Sequence, residues 1–173
     1  MECVLRPWRA EDAEDLALTL NNRKILDNLR DGIPFPYTKE DAADFLSAMY
    51  SAEPDKTWAF AITVDGRAVG SITATRRENI YVRTAEVGYY VAQPFWGRGL
   101  ATSAVRQLCS YIFQNTDILR ISAEVFAENL TSCQVLERAG FQLEGILQSY
   151  AVKNGVVRDM KIYAKLREKG ETD

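Results

Sequence analysis

Histidine is absent from this 173-residue chain. Its absence removes the commonest general base and metal ligand, and with it every Ser-His, Cys-His and H-E-x-x-H mechanism. Acid and base chemistry is left to Glu, Asp, Tyr, Lys, Cys or water. Cysteine is scarce: Cys3, Cys109 and Cys133 are odd in number, widely spaced and without a C-x-x-C pair. That pattern suggests neither a disulfide framework nor a zinc site, and buried thiols are the simplest reading. There is no basic excess, with 21 Lys and Arg against 24 Asp and Glu and a formal net charge of -3, so a nucleic acid is not an expected partner. No apolar run approaches the roughly 18 residues that span a bilayer, and MECVLRPWRAED turns charged where a secretory leader needs its apolar stretch. A cytoplasmic protein with no membrane partner is expected. With only 10 Gly and 5 Pro, the composition is neither collagen-like nor disordered. At this length one core is comfortable, so residues 1–173 are read as one domain, with a core over about 4–166 and a frayed end at 167–173.

What is present alternates helical and strand patterns. A short strand near Cys3–Trp8 precedes a helix carrying Ala13, Leu16, Ala17 and Leu20 on one side. Ile25, Leu26 and Leu29 follow, and then Gly32, Pro34 and Pro36 interrupt regular structure until Thr38, which with Asp41 resembles a capping box. That second helix is expected to end near Ala52. WAFAITV and RAVGSITATR read as strands joined at Asp65-Gly66, and AEVGYYVA as another strand. QPFWGRG leads into a long helix with Ala101, Ala104, Val105, Leu108 and Ile112 in an apolar stripe. RISAEVF is a strand, NLTSCQVLERAGF a short helix ended by Gly140, and the remainder a hairpin turned at Asn154-Gly155. The order predicts an α+β protein with one mixed sheet.

In WGRGLATSA, Gly97 and Gly99 stand between an apolar strand and an amphipathic helix, where backbone N-H groups converge and a phosphate can approach closely. Arg98 or Arg106 would add a cation. The plain alternative is that the glycines only permit the turn. Thr102 stands where G-x-G-x-x-G requires its third glycine, and no G-x-x-x-x-G-K-[ST] occurs, so neither a dinucleotide fingerprint nor a Walker loop is supported.

The sequence resembles the GNAT superfamily of acetyl-CoA-dependent N-acetyltransferases, and within it the ribosomal-protein N-terminal (RimJ/RimL-like) branch. The resemblance runs from LRPWRAEDAEDL through PYTKEDAADFL, WAFAITVDGRAVGSI, AEVGYYVAQPFWGRGLATSAV and AENLTSCQVLERAGF to GVVRDMKIYAKL. It implies a GNAT-type fold: one mixed central sheet of about seven strands, splayed at the middle and flanked by about four helices. It also implies acetyl-CoA as co-substrate, no metal, and a primary amine as acceptor. The branch favours a protein N-terminus, the wider scaffold also serves polyamines, amino acids and aminoglycoside-like amines, and a homodimer is compatible with it. By the same resemblance, the backbone of Tyr90 and Val91 would pair with the pantetheine arm, and Trp96, Gly97, Arg98, Gly99, Leu100, Ala101 and Thr102 would hold the diphosphate. Asn129 and Ser132 would meet the CoA arm and the thioester sulfur. Two departures stand out: Trp96 replaces a frequent Gln or Arg, and Leu136 occupies the place where many relatives carry a Tyr that protonates the leaving thiolate. That proton would then come from Ser132, a water or another residue.

Acetyl transfer to an amine needs the amine neutral, the carbonyl oxygen stabilised and the departing thiolate protonated. A backbone N-H near Val91 suits the second task. Glu86 suits the first, because strand alternation places it with Gly88 and Tyr90 on one face, opposite Val87, Tyr89 and Val91. The plain alternative for Glu86 is a sheet-face carboxylate paired with an Arg such as Arg83; for Ser132 and Asn129 it is helix-start hydrogen bonding. Tyr89, Tyr90 and Tyr150 read first as packing residues, and Cys133 lacks an evident cation to activate its thiol. The segment from Asp31 to Tyr37 lies where the resemblance implies part of the acceptor site, with Phe35 and Tyr37 as candidate binding residues, or else a lid over the core. A catalytically silent acyl-CoA-binding module is the rival from another class.

Overall fold

The computed structural model describes residues 2–168. Strand β1 (Val4–Arg6) is followed by a 3-10 turn and helix α1 (Ala13–Leu20), the four-residue helix α2 (Arg23–Leu26) and α3 (Lys39–Tyr50). Then come β2 (Thr57–Val64), β3 (Arg67–Arg76), β4 (Thr84–Val91), α4 (Leu100–Asn115), β5 (Arg120–Phe126), α5 (Leu130–Arg138), β6 (Gln142–Lys153) and β7 (Val156–Leu166). Beside the expected helices, about four in number, the described residues form the short α2, on which Ile25 and Leu26 sit and which the Asn22 side chain caps on the Lys24 N-H. Thr38 and Asp41 form the reciprocal capping box on α3. Both predicted hairpin turns, Asp65-Gly66 and Asn154-Gly155, have positive φ at both central residues, which matches the right-handed twist of the strands they join.

Seven strands form one sheet in the order β1-β2-β3-β4-β5-β7-β6. Every neighbouring pair is antiparallel except β4 and β5. That parallel pairing runs only from Thr84 opposite Arg120 to Glu86 opposite Ser122, although β4 continues to Val91 and β5 to Phe126. The expected splay therefore lies at the middle of the sheet, and Glu86 marks the point where the strands part.

Two apolar clusters cover the two faces. One joins Val87 and Val91 of β4 to Leu100, Ala104, Val105, Leu108 and Ile112 of α4 and Leu136 of α5. The other joins Leu16 and Leu20 of α1 and Ala42 and Leu46 of α3 to Ala61 and Ala68, with Tyr90 packed against it. Each large side chain so buried contributes roughly 1.5–3 kcal/mol. Arg167, expected to fray, is held instead: its N-H donates to the Leu119 carbonyl at 2.8 Å and its guanidinium to the Thr116 carbonyl. Residues 169–173 of the expected frayed end lie outside the described residues. Among the described residues no helix is long and apolar enough to cross a membrane.

Candidate active site

The turn from β4 into α4 brings the glycine loop beside the splay. Gly99 is the N-cap of α4 with φ 76°, and Gly97 has φ 73°. A Cβ built on either would meet nothing within 4 Å, so open space lies where those side chains would be. The first amides of α4 have no acceptor inside the helix and carry the positive end of its dipole. That is a backbone cradle for an anion, and the residues present fit a diphosphate. Leu100 contributes its main chain only, its side chain being 1% exposed in the core. Arg98 stacks over the Phe95 ring with its guanidinium carbon 5.3 Å from the ring centroid. Arg106 is engaged elsewhere, on the Arg138 carbonyl at the end of α5. Trp96 donates its indole N-H to the Val91 carbonyl at 2.7 Å. One of the strand-edge acceptors expected to face a pantetheine arm thus already has a partner, although a carbonyl oxygen can accept twice.

On the α4–α5 side of the sheet, Tyr89 and Ser132 meet. The Tyr89 hydroxyl lies 2.8 Å from Ser132 Oγ and 3.3 Å from the Ser132 carbonyl oxygen. Asn129 caps α5, its side-chain oxygen accepting from the Ser132 N-H at 3.2 Å. Leu136, one turn beyond Ser132, is fully buried. Cys133 is buried, as are Cys3 and Cys109, and burial pushes the Cys109 thiol up to about 12.

On the opposite side, a cleft of about 430 Å³ is bounded by the segment after α2 and by the β6–β7 hairpin. Glu86 and Glu124 stand in it on neighbouring strands. Glu86 pairs with Arg30 and Arg77, not with Arg83, whose guanidinium instead donates to the Asp117 carbonyl at 2.8 Å. Arg30 also reaches Glu124 at 3.2 Å. Lys153, from the hairpin, closes one edge of the cleft on Asp31 at 2.7 Å.

The structure does not bring Phe35 and Tyr37 to this cleft. Phe35 lies on the surface beneath the Arg23 guanidinium, 4.1 Å from its ring centroid. Tyr37 is 6% exposed in the α1–α3 core, its main chain held on both sides by Asn21 and its hydroxyl donating to the Asp41 carbonyl. Tyr90 packs against the same core, as its alternation with Tyr89 requires. Sequence reasoning missed Arg30, Arg77, Glu124 and Lys153. Glu124 left a signal, an acid in the interior of the largely apolar strand RISAEVF; the others left none.

Residues 3–142 match the acetyltransferase (GNAT) domain family. The chain belongs to the GNAT acetyltransferase family. It is 31% identical to the probable N-acetyltransferase YjcK of Bacillus subtilis, over 96% of this chain and 95% of that protein. Over 62% of this chain and 59% of the other, it is 30% identical to the ribosomal-protein-serine acetyltransferase of Escherichia coli. Its fold matches Mycobacterium smegmatis RimJ, solved in complex with CoA-disulfide, with a TM-score of 0.86 and 28% identity, covering 98% of this chain and 84% of RimJ. This GNAT protein is an N-acetyltransferase with acetyl-CoA as its co-substrate.

Proposed function

We propose that this GNAT enzyme acetylates the α-amine of a protein or peptide N-terminus, by direct attack in a ternary complex. The observation that carries this reading is the mixed charge of the cleft: Glu86 and Glu124 stand beside Arg30, Arg77 and Lys153. Carboxylates suit an ammonium end, which would displace Arg30 from them, and Arg77 and Lys153 suit the backbone carbonyls that follow it in a peptide, whereas a polycation would be repelled by these cations. The kinship with a ribosomal-protein-serine acetyltransferase and with RimJ supports the same reading.

When bound, acetyl-CoA supplies an activated acetyl group. The loop Trp96–Thr102 would hold its diphosphate through main-chain N-H groups and the α4 dipole. The backbone of Tyr90 and Val91, at the splay, would orient the arm, and a Val91-region N-H would polarise the thioester carbonyl. Asn129 fixes the start of α5 so that Ser132 meets the sulfur. Glu86 takes the proton of the acceptor ammonium from the other face of β4, directly or through water, so that base and sulfur lie on opposite sides of the splay.

The test is CoA release with a hexapeptide bearing a free N-terminal serine, the same peptide with a blocked N-terminus, and spermidine. Release with the free peptide alone is expected. Faster turnover of spermidine than of the free peptide would move the acceptor to the small-amine class.

A further inference from the structure

An aliphatic alcohol is a far weaker acid than a thiol, so a proton that Ser132 gives to a departing thiolate must be replaced from a stronger acid bonded to the serine. Such a group is in place. The Tyr89 hydroxyl lies at 2.8 Å from Ser132 Oγ, an ordinary O-H···O length, and at 3.3 Å from the Ser132 carbonyl, which is long for one. Both partners sit on rigid elements: Tyr89 on β4, half-buried against the α4–α5 core, and Ser132 in the first turn of α5 with its N-H held by Asn129.

We propose that Tyr89 is a positioning and proton-relay residue, its phenol donating to Ser132 Oγ so that the serine's own hydrogen turns toward the sulfur. This rests on the reading of Ser132 as the group that meets the sulfur. As the N–C bond forms and the C–S bond breaks, the bonding pair leaves with sulfur and the Ser132 proton follows it. The Tyr89 proton moves onto Oγ, and the phenolate regains a proton from water as CoA departs. Burial pushes the Tyr89 phenol up to about 12, against the lowering effect of the serine bond. It therefore carries its proton at the start of every turnover near neutral pH.

Tyr89→Phe keeps the ring and removes only the hydroxyl. Thiol release from acetyl-CoA is measured in single turnovers with the N-terminal-serine hexapeptide, with spermidine and with water alone as acceptor, so the readout does not hang on one amine. Wild type, Tyr89→Phe, Ser132→Ala and the double variant are compared, alongside acetyl-CoA affinity and melting temperature. Each single variant should be slower by about 10²-fold, with acetyl-CoA affinity within about twofold, and the double variant no slower than the slower single. A Tyr89→Phe enzyme at wild-type speed beside a slow Ser132→Ala enzyme overturns the relay and leaves Ser132 standing. Multiplying losses in the double variant, or a loss that tracks affinity or melting temperature, also overturn it. Both single variants at wild-type speed overturn the Ser132 reading as well.

Discussion

Arg30 lies with its guanidinium against the Glu86 carboxylate, 56 positions away in sequence, and bridges from there to Glu124. The carboxylate proposed as the base is therefore already held by a cation of the chain itself. The Arg30 side chain is 72% exposed, so the pair is worth at most about 1 kcal/mol and an incoming amine can displace it. Arg30→Ala is expected to lower the acceptor KM by up to about fivefold, the equivalent of that energy, and to leave acetyl-CoA affinity unchanged. Initial rates with the N-terminal-serine hexapeptide decide it: a raised KM would mean that Arg30 holds the acceptor and does not compete with it.

Gly99→Val tests the loop. A β-branched residue at φ 76° carries a strain of about 1–2 kcal/mol, and its side chain enters the open space over the α4 amides. Acetyl-CoA affinity should fall by at least about tenfold, the equivalent of 1.4 kcal/mol. Calorimetry on a folded variant with undiminished affinity would end the assignment.

A Cβ on Gly70 would lie 2.4 Å from the Tyr90 carbonyl oxygen and 3.1 Å from the Val91 Cα. Both obstacles are backbone, so β3 and β4 must separate where the cofactor arm is proposed to run. Gly70→Ala should cost about 1–3 kcal/mol in urea unfolding and weaken acetyl-CoA binding together. Gly88→Ala, whose Cβ would meet nothing within 4 Å, serves as the control. Equal stability of the two variants would contradict the close packing at Gly70.

Asp12 is 3% exposed, with both oxygens on the Arg6 guanidinium at 2.7 Å and one also accepting the Arg9 N-H at 2.8 Å. Burial pushes its carboxyl up, but the Arg6 and Arg9 hydrogen bonds outweigh it and hold it below the usual value of 3.8. A folded value below the unfolded one makes the stabilisation complete above the unfolded value, about pH 4, and lost as pH falls through the folded value. Wild-type stability should therefore drop more steeply below about pH 4 than that of Asp12→Asn. Asp12→Ala should lose about 3 kcal/mol, the lower end of the range for a broken buried pair, because Arg6 loses its carboxylate and keeps only the Pro7 and Gly66 carbonyls. Identical acid profiles for wild type and Asp12→Asn would refute the linkage.

The elements legible in the sequence are those written in local chemistry. Asp65-Gly66, Asn154-Gly155, the Thr38–Asp41 box and the Gly97–Gly99 loop each fix a turn or a helix start within a few residues, and their backbone geometry agrees. Of the cleft proposed for the acceptor only Glu86 was legible, because Arg30, Arg77, Glu124 and Lys153 come from separate segments that only the folded sheet and hairpin bring together. For Tyr37 the sequence leaves two readings open, a binding residue or part of a lid over the core. An aromatic residue among prolines fits either, but the Asn21 side chain bonds both its N-H and its carbonyl, and this anchors the ring in the core.

Glu86→Gln bears most directly on the chemistry. Glu86 sits where the β4–β5 pairing ends, with Oε1 on Arg30 and Oε2 on Arg77 at 3.1 Å. An acceptor amine is mostly protonated at neutral pH, so a carboxylate here can take its proton once the ammonium displaces Arg30. The amide keeps the size of the side chain and one hydrogen-bond acceptor but cannot take a proton. The kcat near pH 7 should fall by about 10²-fold, the lower part of the general-base range, with acetyl-CoA affinity nearly unchanged. The loss should shrink as pH rises toward the range where the amine deprotonates in solution, because a neutral amine no longer needs the base. The pH–rate profiles of the two enzymes with one acceptor carry the test. A Glu86→Gln enzyme with wild-type kcat at pH 7 eliminates Glu86 as the base. A loss that persists undiminished at high pH would instead place Glu86 in acceptor binding.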